Sequence, residues 1–310
     1  MLFVLPVQNN SFAGDCSIDE KPDSTVLSAT TTVFKAGIFK GAPMAKVNAI
    51  VITGYGTNSH VETAHAVRLA GADRVDIVHF ADIVSGDVKL VDYRFLLFPG
   101  GFLDGDDLGA AHAAAQRWLY LTDNEKVPLL DRLNALLDDG GLIMGICNGF
   151  QLLVKLGILP ALDGKRFTRQ VSLGHNLSAR YEDRWVTLKA NKESPCIFTR
   201  GIDQIAMPVR HGEGRLVTPD AETLGRLEKE GLIALSYADP ATGEPTMEYP
   251  FNPNGSPLGI AGLTDPTGHV LGLMPHPEAF NDPTNDPLYA RGVRRLTGTA
   301  LFRNAVEFLR

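Results

Sequence analysis

Cys147 lies in a sequence pattern that is typical of a nucleophile elbow. Glycines stand two residues before it and two residues after it, in the stretch Gly145-Ile146-Cys147-Asn148-Gly149-Phe150-Gln151, between an apolar run and a helix-like run. Such a strand-to-helix turn lifts a thiol clear of the sheet and places it at a helix N-terminus, which favours the thiolate. The alternative is a buried structural cysteine, which would need neither the glycines nor the polar Asn148 and Gln151.

A thiol nucleophile needs a general base, and the base needs a group that orients it. The segment Met274-Pro275-His276-Pro277-Glu278 offers both. Its His and Glu are two residues apart, so they point to the same side of an extended chain, and the prolines stiffen the loop. For a His-x-Glu pair taken alone, a solvated surface loop is the better interpretation. Beside an elbow, we predict a catalytic triad of Cys147, His276 and Glu278.

Acyl transfer through a thiol also needs backbone N–H groups that stabilise an oxyanion. The stretch Gly100-Gly101-Phe102 ends an apolar strand and can present such groups. The N–H of Asn148, directly after the nucleophile, is the natural second donor. A Gly-Gly pair alone more often marks only a turn, so this prediction depends on the elbow.

Composition excludes several classes of protein. The chain has 310 residues, 44% of them hydrophobic and 21% charged, as in an ordinary globular protein. A net charge of −7 argues against general binding to nucleic acids or membrane surfaces. No apolar run approaches the ~20 residues that span a bilayer. The three cysteines, Cys16, Cys147 and Cys196, form no CxxC motif, which fits a reducing cytoplasm without disulfides or a Cys-based zinc site.

The chain alternates strand and helix patterns from Val47 onward. Near-continuous apolar strands between helices indicate a mostly parallel open sheet with helices on both faces, whose ligands lie at the carboxyl ends of the strands. A capping box at Ser59–Glu62 is expected to open the first helix. The predicted strands cover 47–53, 75–80 and 93–98, and the predicted helices 59–70, 107–120 and 128–138.

The pattern changes after Pro160. Short strand-like segments at 169–189, 204–210, 232–237 and 258–274 predict added antiparallel strands in the C-terminal half, followed by a last helix at about 298–309. The turn Asp265-Pro266-Thr267-Gly268 predicts a hairpin. One domain is therefore expected over 44–310. Residues 1–43 lack periodicity and are expected to be a weakly ordered extension, with Met44 as an alternative natural start.

The order of these motifs resembles that of class I (triad) glutamine amidotransferases, which have a flavodoxin-like fold. This chain and those enzymes have in common a strand ending in Pro-Gly-Gly, followed by Gly-x-Cys-x-Gly-x-Gln and then by His-Pro-Glu. Over about 47–310, further stretches resemble the glutaminase components of phosphoribosylformylglycinamidine synthases. These stretches are Gly54-Tyr55-Gly56-Thr57-Asn58, Gly100-Gly101-Phe102 with Gly105-Asp106, Met207-Pro208-Val209-Arg210-His211-Gly212-Glu213-Gly214 and Phe251-Asn252-Pro253-Asn254-Gly255-Ser256.

Some positions depart from that family's pattern. Leu103-Asp104 stands where the family often has Ser-Tyr, and Ala279 where it commonly has Arg. Residues 281–296 resemble an insertion, and residues 1–43 have no counterpart. None of these departures touches the predicted triad.

The resemblance implies an enzyme of de novo purine biosynthesis. Cys147 would attack the side-chain amide of glutamine, His276 would protonate the departing ammonia, and water would hydrolyse the glutamyl thioester. Gln151 and the region of Gly101 would help to seat glutamine. The ammonia would pass to a synthetase partner that converts formylglycinamide ribonucleotide to formylglycinamidine ribonucleotide with ATP, with or without a small bridging subunit.

No cofactor is expected in this chain, since it has no Gly-x-x-x-x-Gly-Lys-Ser/Thr motif and no room for a synthetase domain. ATP and Mg are expected on the synthetase partner. The resemblance marks His211 and Glu213 as residues near the site or the partner face, without a catalytic role.

Three alternatives stay open. A glutaminase could serve another synthetase, such as one for guanylate or cytidine triphosphate, but the Phe-Asn-Pro-Asn-Gly-Ser stretch argues against this. A stand-alone cysteine hydrolase of similar fold, such as a peptidase or stress protein, usually has its histidine close after the nucleophile, whereas His276 lies far along the chain. A catalytically inactive regulatory module is disfavoured by the intact Cys147, His276 and Glu278.

Overall fold

The structure is a computed structural model and describes residues 45–310. This part of the chain contains eleven β-strands. Nine of them form one sheet, and the fifth and eighth pair separately as an antiparallel ribbon. In chain order the strands are β1 (Asn48–Thr53), β2 (Arg74–His79), β3 (Phe95–Phe98), β4 (Leu142–Ile146), β5 (Ser172–His175), β6 (Glu182–Ala190), β7 (Gln204–His211), β8 (Glu213–Val217), β9 (Ile233–Ala238), β10 (Ile260–Thr264) and β11 (Val270–Leu273).

The main sheet combines a parallel half and an antiparallel half. Its strand order is β2-β1-β3-β4-β11-β10-β9-β6-β7. The pairings from β2 to β11 are parallel, and those from β11 to β7 are antiparallel. Every residue of β3, β4 and β11 is buried, as expected for central strands covered on both faces. The predicted fold class, with its added antiparallel strands, is confirmed.

Seven α-helices accompany the strands within residues 45–310. The first, α1, packs against β1 and β2 and also contacts α7, while α5 packs against β3, β4 and β11 with α3 beside it. The helices are α1 (His60–Leu69), α2 (Phe80–Val84), α3 (His112–Tyr120), α4 (Leu129–Asp138), α5 (Asn148–Leu156), α6 (Ala221–Lys229) and α7 (Thr299–Leu309).

The parallel half brings the predicted site together. The strands β3, β4 and β11 are neighbours and run in the same direction, so their carboxyl ends meet at one edge. The segments that follow these three strands are those that contain Gly101, Cys147 and His276. The predicted hairpin after β10 is present, because Gly268 N–H donates to Asp265 O at 3.0 Å.

Two local predictions are wrong. Ser59 precedes α1 but makes no side-chain capping bond, because its hydroxyl accepts from Gly100 N–H at 3.0 Å. The predicted helix 107–120 begins only at His112, since Ala111 adopts a positive φ of 57° that a right-handed helix excludes. In addition, α6 was not predicted.

The predicted extension of residues 1–43 lies outside the described residues. Within residues 45–310, no helix is both long enough and apolar enough to cross a membrane.

Candidate active site

Cys147 occupies a strained turn between β4 and α5. Its φ of 52° and ψ of −108° lie in a region that residues with a Cβ rarely adopt. Backbone hydrogen bonds hold this conformation on both sides, from Cys147 N–H to Leu273 O at 2.8 Å and from Gln151 N–H to Cys147 O at 3.1 Å. The side chain is 7% exposed. The local geometry is that of a nucleophile elbow.

The elbow glycines are needed because the backbone elements approach closely. A Cβ at Gly149 would lie 1.9 Å from Phe98 O, and a Cβ at Gly145 would lie 2.6 Å from Gly149 O. Glycine therefore lets the first turn of α5 pack directly on the ends of β3 and β4.

His276 and Glu278 form a buried pair. His276 Nδ1 lies 2.6 Å from Glu278 Oε1, and their side chains are 7% and 1% exposed. The segment is not extended as predicted, since Pro277–Ala279 forms a 3₁₀ turn after β11. The pairing is therefore made across a tight turn, which Pro277 favours by fixing its φ.

The imidazole of His276 and the Cβ of Cys147 both lie beside Gly100. A Cβ at Gly100 would lie 3.0 Å from His276 Cε1 and 3.3 Å from Cys147 Cβ. Burial opposes the protonation of His276, but the negative charges of Glu278 and Cys147 outweigh it and raise the pKa of His276 to about 10. With Nδ1 facing the carboxylate, Nε2 has no hydrogen-bond partner in the described part of the chain.

We call residues 100–109 the oxyanion loop. The N–H groups of Gly101 and Asn148 donate to no protein acceptor among residues 45–310, so both remain open to a ligand. The prediction of Phe102 as an oxyanion donor needs correction. Its N–H already donates to Gly56 O at 2.9 Å, so it cannot also serve an oxyanion. Phe102 lines the cavity beside the nucleophile, with its side chain 52% exposed.

A cavity of about 220 Å³ joins these groups. The side chains of Cys147, Asn148, Gln151 and His276 all line it. Gln151 is 3% exposed, and its Nε2 donates to Glu213 O at 3.3 Å, so its amide helps to fix one wall. Among the described residues, no group of three or more His, Cys, Asp or Glu side chains is arranged to hold a metal ion.

The structure adds cavity residues that sequence reasoning did not assign to the site. Asp106 and Arg210 belong to the stretches that carry the resemblance, so a signal for them existed. Tyr181 had no such signal, since it lies in a segment identified only as strand-like. Its burial, and then the charge of Cys147, raise the pKa of the Tyr181 hydroxyl.

Comparison with known proteins identifies the family. The model of the CobB/CobQ-like glutamine amidotransferase domain matches residues 46–309. Phosphoribosylformylglycinamidine synthase subunit PurQ of Methanococcus maripaludis strain C5 is 41% identical over 274 residues, covering 84% of this chain and 97% of the relative. The same subunit of Dehalococcoides mccartyi is 38% identical over 271 residues, covering 86% and 99%.

A solved structure agrees with these sequence relatives. A chain in the structure of PurLQS from Thermotoga maritima is similar with a TM-score of 0.61 and 27% identity, covering 86% of this chain and 100% of that one. The chain therefore belongs to the glutamine amidotransferase family that includes the PurQ subunits of phosphoribosylformylglycinamidine synthase.

Proposed function

We propose that this chain is the glutaminase subunit of a phosphoribosylformylglycinamidine synthase in de novo purine biosynthesis. It hydrolyses glutamine through a thioester on Cys147 and passes ammonia to a synthetase partner, which converts formylglycinamide ribonucleotide to formylglycinamidine ribonucleotide. The observation that carries this proposal is the position of Cys147 and the His276–Glu278 pair beside Gly100, in a chain related along most of its length to PurQ subunits.

In the first step, the Cys147 thiolate attacks the carboxamide carbon of glutamine. The carbonyl oxygen becomes an oxyanion, which accepts from the N–H groups of Gly101 and Asn148. Protonated His276 then gives its proton to the amide nitrogen, the C–N bond breaks, and ammonia leaves. The raised pKa of His276 supports this role, because the imidazole beside Glu278 holds a proton that it can give to the leaving nitrogen.

In the second step, water hydrolyses the glutamyl thioester. His276, now neutral, takes a proton from the water as its oxygen attacks the carbonyl carbon, and the thiolate is released with glutamate. Glu278 holds Nδ1 throughout, so Nε2 faces the reacting atoms in both steps. Gln151 and the oxyanion loop line the cavity in which glutamine binds.

The proposal assigns no cofactor to this chain. ATP and Mg²⁺ act on the synthetase partner, which activates the amide oxygen of formylglycinamide ribonucleotide before ammonia attacks. The similar Thermotoga maritima chain comes from a structure of PurLQS, which supports a synthetase partner and a small bridging subunit for this chain as well. We propose that the enzyme acts in the cytoplasm, in keeping with the free thiols of Cys147 and Cys196.

The test separates the two half-reactions. Cys147→Ala should abolish glutamine-dependent synthesis by the complex, while synthesis from added ammonia continues at the partner's own site. Cys196→Ala is the matched control, because Cys196 is buried away from the cavity and burial raises the pKa of its thiol. Glutamine hydrolysis by purified Cys147→Ala, or an equally inactive Cys196→Ala, would contradict the proposal. Activation of another synthetase by the wild-type chain would redirect it.

A further inference from the structure

The cavity is lined by polar groups that the reaction steps do not use. Asp106, His211 and Glu213 all line it together with Cys147. All three present hydrogen-bond acceptors, and two of them are carboxylates.

The two carboxylate residues flank the first turn of α5. Asn148 Nδ2 donates to Asp106 Oδ2 at 2.8 Å and to Oδ1 at 3.0 Å, while Gln151 Nε2 donates to the backbone oxygen of Glu213. Asn148 and Gln151 are three residues apart and so lie on the same helix face. The Asp106 carboxylate and the Glu213 backbone oxygen therefore contact the same helix face, at residues about one helical turn apart.

The charge of the two residues is not balanced by a direct ion pair. Within residues 45–310, neither Asp106 nor Glu213 forms a salt bridge with a lysine or arginine, and the Glu213 carboxylate lies 3.5 Å from the exposed imidazole of His175. Burial of Asp106 raises the pKa of its carboxyl, and the negative charge of Glu213 adds to this, while hydrogen bonds from Asn148 and Ala111 and the more distant charge of Lys155 oppose it. A cation brought between the carboxylates would relieve this repulsion.

His211 supplies an independent sign that a ligand donor is missing. Asn176 Nδ2 donates to the carbonyl oxygens of His211 and Arg180 at 2.8 and 2.9 Å, which fixes the orientation of this amide. Its Oδ1 must then accept from His211 Nδ1–H, at 3.1 Å. Burial and the nearby His276 lower the pKa of His211 to about 3, so the ring is neutral and Nε2 carries a lone pair. This Nε2 is buried without a partner in the described chain.

We propose that Asp106 and Glu213, with the free acceptor of His211 beside them, form a subsite for the α-ammonium group of glutamine. The α-ammonium is the only cation of this substrate, and four single bonds place it about 5 Å from the carboxamide carbon. One helical turn covers a similar length, so a glutamine whose amide lies at Cys147 reaches past the first turn of α5. The subsite rests on the proposed function, since it assumes glutamine as the substrate.

A purely structural role for Asp106 is the rival explanation. Its carboxylate could serve only to hold Asn148 and to balance the positive end of α5. The two roles differ in one respect, because only a subsite responds to the presence of an amino group on the substrate.

The test compares L-glutamine with 4-carbamoylbutanoate, the same molecule without the α-amino group. Both are assayed as substrates of the complete complex with synthetase, ATP and formylglycinamide ribonucleotide, and the analogue also as a competitive inhibitor. Asp106→Asn should lower kcat/KM for glutamine by about 10- to 100-fold, mainly through KM, the loss expected for a charged hydrogen bond. The inhibition constant of the analogue should change less than about threefold. Asp107→Asn, at an exposed neighbouring position, is the matched control.

The outcomes separate the hypotheses. Equal losses for glutamine and the analogue would assign Asp106 to positioning Asn148, and wild-type kinetics would give it no role; either result overturns the subsite. Glu213→Gln should repeat the selective loss, and it decides the question if Asp106→Asn does not fold. A wild-type complex that hydrolyses no glutamine overturns the proposed function and the subsite together, whereas non-selective variants of an active complex overturn the subsite alone.

Discussion

Replacing Cys147 by glycine tests whether the elbow stores backbone strain. The residue has a φ of 52° and a ψ of −108°, which a Cβ disfavours and glycine tolerates. Both Cys147→Gly and Cys147→Ala remove the nucleophile, but only glycine removes the Cβ as well. The difference in stability between these two variants therefore measures the strain, after correction for the ordinary cost of a glycine.

The correction comes from a matched pair elsewhere in the chain. Ala64 is fully buried in α1, where the backbone is right-handed, so Ala64→Gly carries the usual entropy cost and the loss of one buried methyl group. Residues held in sparsely populated backbone regions are strained by about 1–3 kcal/mol. The change from alanine to glycine should thus be about 1–3 kcal/mol more favourable to the free energy of unfolding at position 147 than at position 64.

Urea unfolding of the four proteins measures this difference in the free energy of unfolding. In thermal melts, each kcal/mol should appear as a shift of roughly 2–4 °C for a chain of this size. If glycine at 147 is as costly relative to alanine as glycine at 64, the elbow is not strained. The hydrogen bonds to Leu273 and Gln151 would then merely accompany a relaxed turn.

The geometry of the site supports four further predictions. Glu278→Gln should keep the fold and lower the glutamine-dependent rate by about 10²- to 10⁴-fold, and a wild-type rate would show that another group orients His276. Gly149→Ala should destabilise the chain by about 1–3 kcal/mol, because its Cβ would meet Phe98 O; an unchanged melting temperature would show that α5 can shift. Since the pKa of His211 is lowered from 6.5 to about 3, the unfolded chain binds this proton first, so His211 should lower the free energy of unfolding by about 1.4 kcal/mol per pH unit as the pH falls from about 6.5 to about 3. An NMR titration that protonates His211 between pH 8 and 5 would contradict this. Addition of synthetase, ATP and formylglycinamide ribonucleotide should raise the rate of glutamine hydrolysis more than ~10-fold, which corresponds to lowering the activation barrier by about 1.4 kcal/mol. Full glutaminase activity of the isolated chain would refute this prediction.

The sequence predicted those features that depend on local pattern. Apolar runs such as 95–98 and 142–146 are long and continuous enough to identify buried parallel strands, and glycine spacing identified the elbow after the second of them. The hairpin after β10 followed from its turn residues. The pairing of His276 with Glu278 followed from their closeness in sequence, although the turn that joins them is 3₁₀ and not extended.

What the sequence did not reveal depends on contacts between distant segments. Ser59 has the pattern of a helix cap, yet Gly100 N–H competes for its hydroxyl from 41 positions away. Phe102 has a suitable position for an oxyanion donor, yet Gly56 O already occupies its N–H. Tyr181 reaches the cavity because β6 and β7 bring this edge of the sheet beside the elbow. Local periodicity contains no information on such partners.

Asn148 links the elbow to the oxyanion loop. Its backbone N–H follows the nucleophile, while its side chain bonds Gly101 O and the carboxylate of Asp106. The same loop turns outward at Phe102 and Leu108, whose side chains are 52% and 75% exposed. A partner surface that covers these two apolar side chains would favour one conformation of the loop, and with it the direction of the Gly101 N–H. We therefore expect the synthetase to control glutamine hydrolysis through the oxyanion donor, while the elbow itself stays unchanged.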